Sequence, residues 1–125
     1  MRILGLALAA VLLAGVAAPA AADASDGVKL FKKKCTTCHR LDETGKKKVG
    51  PNLWGVVGRP IASAPGFKYS KGLSKHKGKT WTEENLDAWL TKPRAFAKGT
   101  RMAFPGFKKA GQRAAVIAYL RSAVE

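Results

Sequence analysis

Cys35, Cys38 and His39 carry chemistry in their spacing alone. In Cys35-Thr36-Thr37-Cys38-His39 two thiols stand three positions apart and an imidazole follows at once. That order fits covalent attachment of a c-type haem. The thiols add to the two vinyl groups as thioethers, and the tether holds the next side chain under the iron. A neutral imidazole nitrogen is a good iron ligand, which makes His39 the proximal axial ligand. Two other chemistries use a Cys-x-x-Cys pair. A thiol–disulfide redox pair has no need of His39, and a zinc site needs more ligands than the chain supplies nearby. These are the only cysteines, and His76 is the only other histidine. A disulfide between them would close too short a loop to constrain the unfolded chain much.

A sixth ligand decides what such an iron can do. Apart from the initiator, Met102 is the single methionine, in the irregular stretch Lys98-Gly99-Thr100-Arg101-Met102-Ala103-Phe104-Pro105-Gly106. A thioether is a soft ligand that prefers ferrous iron, so His/Met ligation raises the reduction potential. It also leaves no open coordination site, which suits electron transfer and excludes most substrate chemistry. The ordinary alternative is a methionine filling a gap in the core. His76 is the rival ligand, but its lysine-rich surroundings predict a surface histidine.

These residues need elements to position them. The spacing of Val28, Leu30, Phe31 and Lys34 predicts a helix over 26–38, with Asp26 as its N-cap and the haem motif at its end. Thr82 opens a second helix with Glu83 and Glu84 in its first turn, where the helix dipole favours anions. Leu86, Trp89 and Leu90 share its inner face, and Pro93 limits its continuation. A third helix runs from about Gly111 to the end, with Val116, Ile117, Leu120, Ala123 and Val124 as its apolar stripe and Arg113 and Arg121 in solvent. Between residues 41 and 80 glycines and prolines punctuate the chain into loops, and no alternating strand pattern persists. So much irregular backbone needs something apolar to wrap, and a buried haem supplies it.

The start reads as a targeting segment. Arg2, an apolar run over 3–18 and Pro19-Ala20-Ala21-Ala22-Asp23 form the three parts of a secretory signal peptide, residues 1–22, cleaved near Ala22. If retained, the same run would serve as a membrane anchor. Export agrees with the motif, because bacterial thioether attachment takes place outside the cytoplasm, and predicts a periplasmic protein. Residues 23–125 suffice for one domain and one core. The formal charge is +15 over the whole chain, and loss of Arg2 with the leader lowers it by only one. Such an excess fits nucleic acid, anionic lipid or acidic protein as partner. An exported haem protein meets no nucleic acid in its normal work.

With both ligands in place the chain resembles the class I cytochromes c, specifically the short soluble bacterial type similar to the mitochondrial protein. The resemblance covers 26–124 and rests on Gly50-Pro51-Asn52-Leu53-Trp54-Gly55, Gly58-Arg59, Ala64-Pro65-Gly66-Phe67-Lys68-Tyr69, Thr80-Trp81, Gly99-Thr100-Arg101-Met102 and Ile117-Ala118-Tyr119-Leu120, all in the family's order. It implies an all-α cytochrome c fold, with N- and C-terminal helices crossing and loops wrapped around one covalent haem c. The resemblance further implies that the Pro51 carbonyl accepts a hydrogen bond from His39 Nδ1–H. Arg59, Tyr69 and Trp81 match the groups that hold the haem propionates. Gly27 and Phe31 match the face that crosses the last helix at Val116 and Tyr119, and Phe104 shields the iron–sulfur bond. Three departures stand out. Trp89 occupies a tyrosine's place, Lys98 replaces a proline, and the loop over 70–79 is about one residue longer than in the mitochondrial proteins.

By the same resemblance Lys29, Lys34, Lys48, Arg94, Arg101, Lys108 and Lys109 ring the exposed haem edge. A cationic ring steers a carrier onto acidic docking faces in transient complexes. The expectation is a monomeric, periplasmic, one-electron carrier without enzymatic activity. It would shuttle between a cytochrome bc complex or dehydrogenase and a terminal oxidase, reaction centre or peroxidase, and touch membranes only through those complexes. The rivals are a haem enzyme or gas sensor with a labile sixth ligand, and a membrane-anchored electron-transfer subunit.

Overall fold

The computed structural model describes Gly15 and residues 24–124, so the leader read over 1–22 lies outside the described residues. Helix α1, Ala24–Lys34, starts two residues before Asp26, which therefore sits in its first turn rather than at the cap. Lys32, Lys33 and Lys34 fill its last turn, where cations complement the helix dipole. The helix stops there, four residues short of the predicted end.

The loop over 70–79 contains a short helix, α2 at Lys71–Ser74, which the glycine-rich sequence did not suggest. Ser70 caps it by accepting from the Leu73 N–H. Helix α3, Glu83–Thr91, begins as predicted: the Thr82 hydroxyl accepts from the Asn85 N–H at 3.1 Å. Pro93 does more than limit it. A proline at the first helical position has its φ already set, and it opens α4, Pro93–Phe96, directly after Lys92. Helix α5 spans Ala110–Ser122. Pro60 and Thr80 form an isolated β-bridge, the only β pairing among the described residues.

The terminal helices cross in backbone contact. A Cβ on Gly27 would lie 2.1 Å from the Ala115 carbonyl oxygen and 2.9 Å from Tyr119 Cβ, so only glycine permits this approach. Phe31 then meets the Tyr119 ring edge-on at 5.5 Å. Burying a side chain like Phe31 contributes about 1.5–3 kcal/mol, and its partners Val116, Ile117 and Leu120 are equally enclosed. The predicted stripe of α5 fails at its end, because Val124 is 42% exposed. Arg113 also departs from expectation. Its guanidinium is mostly covered, donating to Asp87 Oδ1 at 2.7 Å and to the Phe107 and Lys108 carbonyls, which ties α5 to α3.

Candidate haem site

Helix α1 delivers the cysteine motif by tightening as it ends. The Cys35 and Thr36 N–H groups both donate to the Phe31 carbonyl, and the Cys38 and His39 N–H groups both donate to the Cys35 carbonyl. Cys35 and Cys38 are part-buried and not joined to each other. Burial pushes the Cys35 thiol up to about 11, with the neighbouring Cys38 adding to the effect. Redox-active pairs depend on a lowered thiol pKa, so this environment opposes the redox-pair chemistry.

The His39 ring is fixed from two sides. Its Nδ1–H donates to the Pro51 carbonyl at 2.8 Å. A carbonyl can only accept, so Nδ1 carries the proton and Nε2 keeps its lone pair. Burial lowers the His39 pKa, partly offset by the Pro51 bond, and so favours the neutral ring. Gly50 forms the seat: a Cβ there would lie 2.5 Å from the ring's Cε1. Its N–H donates to the Cys38 carbonyl at 2.7 Å, folding the Gly50-Pro51 turn against the motif.

Asn52 holds this turn in place, a role the sequence did not single out. It is the buried polar residue of the core, donating to Asp42 Oδ1 and the Lys46 carbonyl and accepting from the Trp54 N–H. Asp42 accepts in addition from Thr44 and Arg40. Those bonds, the Thr44 hydroxyl foremost, lower its carboxyl to about 2. The signal in the sequence was the Gly-Pro-Asn turn.

Arg59, Tyr69 and Trp81 converge. The Trp81 N–H donates to the Arg59 carbonyl and the Gly58 N–H to the Trp81 carbonyl, both at 2.8 Å. The two Nη atoms of Arg59 donate to the carbonyls of Asn52 and Trp54, while its Nε is buried without a hydrogen-bond partner. Burial lowers the Arg59 pKa, and the nearby Tyr69 phenol offsets part of that. The Tyr69 oxygen accepts from the Ala64 N–H at 3.0 Å, leaving its own proton for another acceptor. A buried guanidinium N–H in need of an acceptor, a phenol beside it and an indole on the paired segment suit a carboxylate-bearing group. With the unpaired thiols and the bare His39 Nε2, this donor set fits haem c.

Met102 is part-buried on an irregular loop after α4. Gly99 supplies a positive φ of 80°, the Thr100 N–H turns back to the Ala97 carbonyl, and the Met102 N–H donates to Thr100 Oγ1 at 3.3 Å. Phe104 is part-buried and packs edge-on against Phe107. Trp89 lies among aromatic rings, 5.7 Å from Trp81 and 5.8 Å from Phe96. His76 is not the surface histidine expected. It is part-buried, with Nε2 donating to the Phe96 carbonyl at 2.7 Å.

Lys29, Lys34, Lys48, Arg94, Arg101, Lys108 and Lys109 are all exposed. Among the described residues the ion pairs are Arg40–Asp42, Arg113–Asp87 and Arg121–Glu83, which use none of the seven.

The cytochrome c family profile matches residues 24–123. The chain belongs to the cytochrome c family. It is 48% identical over 100 residues to a cytochrome c-type cyt cy of Rhodobacter capsulatus and 47% identical over 103 residues to a cytochrome c homolog of Rickettsia prowazekii. The matches cover 80% and 82% of this chain but 49% and 58% of those two proteins, so the chain spans about half their length. A cytochrome c of Nigella damascena is 40% identical over 101 residues, which cover 81% of this chain and 90% of that one. The all-α cytochrome c fold follows, with α1 crossing α5. Family membership implies covalent haem c, for which Cys35 and Cys38 supply the thiols.

Proposed function

We propose that this cytochrome c is a mobile one-electron carrier of the periplasm, with His39 and Met102 as the axial ligands of a single haem c. The observation that carries the reading is the fixed His39 ring. With Nδ1 committed to Pro51, Nε2 is the ring nitrogen left to ligate the iron of a haem that Cys35 and Cys38 would tether through thioethers. The bound haem supplies the one-electron couple. Pro51 fixes the ligand's tautomer and raises its basicity. Arg59, Tyr69 and Trp81 would hold the propionates and so offset the cost of burying their charge. Met102 would close the sixth position, and Phe104 would keep water from it. No residue acts as acid, base or nucleophile in this reading.

Seven exposed cations that form no ion pair among the described residues support docking on acidic faces of redox proteins. Donors would be a cytochrome bc complex or a dehydrogenase. Acceptors would be a terminal oxidase, a reaction centre or a peroxidase. The leader pattern over 1–22 supports export, with residues 23–125 as the working domain, and among the described residues no helix is long and apolar enough to cross a membrane.

Electron transfer to candidate membranes at varied ionic strength tests the reading. The rate constant falls steeply as salt rises if the basic ring docks on acidic partners. Salt-independent rates refute the docking proposal. An intact mass of the exported protein reports haem attachment and the cleavage point together. A mass that retains residues 1–22 favours the anchored subunit instead.

A further inference from the structure

The loop that carries Met102 is braced from outside by one segment at three points. Arg101 Nη2 donates to the Lys68 carbonyl. Gly72 lies so close to the Lys98 carbonyl that a Cβ on it would come within 1.9 Å of that oxygen. His76 Nε2 donates to the Phe96 carbonyl at 2.7 Å. The contacts run antiparallel, 68 to 101, 72 to 98 and 76 to 96. No proline stiffens 94–104, so the loop has little rigidity of its own.

His76 is the part-buried donor among the three contacts. Its ring also stacks on the Phe96 ring, centroids 4.2 Å apart and planes 17° from parallel. Phe96 is in turn packed on Trp81 and Trp89. Nδ1 of His76 is buried without a partner, which fixes the tautomer: the proton sits on Nε2, where the carbonyl accepts it. The bond falls on the last residue of α4, where the backbone leaves the helix for the methionine loop.

We infer that His76 is a positioning residue for the methionine loop, acting through the Phe96 carbonyl, with 68–76 as a strap that holds residues 97–102 in place. Its side-chain hydrogen bond and its ring stack both fall on Phe96 rather than on Met102 itself. The inference rests on Met102 as axial ligand for its effect on the iron, but the strap is a property of the polypeptide.

The test uses the holoprotein. His76→Phe keeps a ring to stack and loses the donor, whereas His76→Gln keeps an amide donor. Two readouts are followed: amide hydrogen exchange over 97–102, and the rate at which added imidazole displaces methionine from ferric iron. In His76→Phe both rise about tenfold, as expected for a lost buried hydrogen bond, while exchange in α1 and α5 stays as in wild type. His76→Gln restores both to within about threefold of wild type. Unchanged exchange over 97–102 in His76→Phe overturns the inference. So does an increase shared equally by α1 and α5, which marks a general packing role. Should His76→Phe not fold, nitrogen NMR of the wild-type ring decides: a single Nε2–H tautomer supports the strap, and a ring averaging between tautomers overturns it. A wild-type protein with no iron–methionine absorption band contradicts the ligand reading alone, since amide exchange still tests the strap.

Discussion

At His39 one ring nitrogen is committed to Pro51, and the second is free only because Gly50 leaves room for the ring. Gly50→Ala forces a methyl into that seat. The expected result is a displaced imidazole, with overpacking costing about 1–3 kcal/mol of stability, seen as a lower thermal midpoint and a weakened low-spin spectrum. Asp42 behaves differently because it can titrate. Its carboxyl lies below the ordinary value, so its bonds stabilise the folded chain fully above pH 3.8 and are lost as pH falls toward about 2. Asp42→Asn removes that contribution at every pH. The stability of the variant and of wild type should therefore differ near neutrality and converge at the acid end of a pH series. The cysteine–histidine motif was legible in the sequence because its chemistry depends on type and spacing, whereas the Pro51 contact came only from the family resemblance. His76 was misread because nothing in a lysine-rich string shows that its ring turns inward onto Phe96. Arg113 was misread for a similar reason, since its partner Asp87 lies on another helix.

Helices α1 and α5 show how far periodicity reaches. Their existence and the burial of Phe31, Val116, Ile117 and Leu120 followed from apolar spacing, and the family pattern pointed to Gly27 at the crossing, but buried Ala115 was not anticipated. Their ends did not follow, because α1 stops where its carbonyls are taken over by the cysteine turn. Helices α2 and α4 were missed altogether. Each is one turn long, too short for a period, and depends on a cap at Ser70 or a proline at its start. At this scale the sharpest test is Gly27→Ala. The added methyl meets the Ala115 carbonyl oxygen at 2.1 Å. The crossing must open, and the variant should lose about 1–3 kcal/mol in denaturant unfolding, with exchange accelerated in both α1 and α5.

Over the whole molecule the acids are few and local. No aspartate or glutamate occurs between Glu43 and Glu83, a stretch that holds eight lysines and Arg59. Glu83, Glu84 and Asp87 gather on α3, where two of them pair with Arg121 and Arg113. The cations proposed to ring the haem edge are left to act on a partner. Reversing Lys108 and Lys109 to glutamate should slow oxidation by an acidic partner about tenfold at low ionic strength and leave the two rates nearly equal in high salt. The central claim, a closed iron ligated by His39 and Met102 in an electron carrier, has a more direct test. The visible spectrum of the oxidised holoprotein should show the weak long-wavelength band of an iron–methionine bond, and Met102→Ala should abolish it and produce high-spin features. A wild-type protein that is already high-spin, or a band that survives in Met102→Ala, would contradict the account.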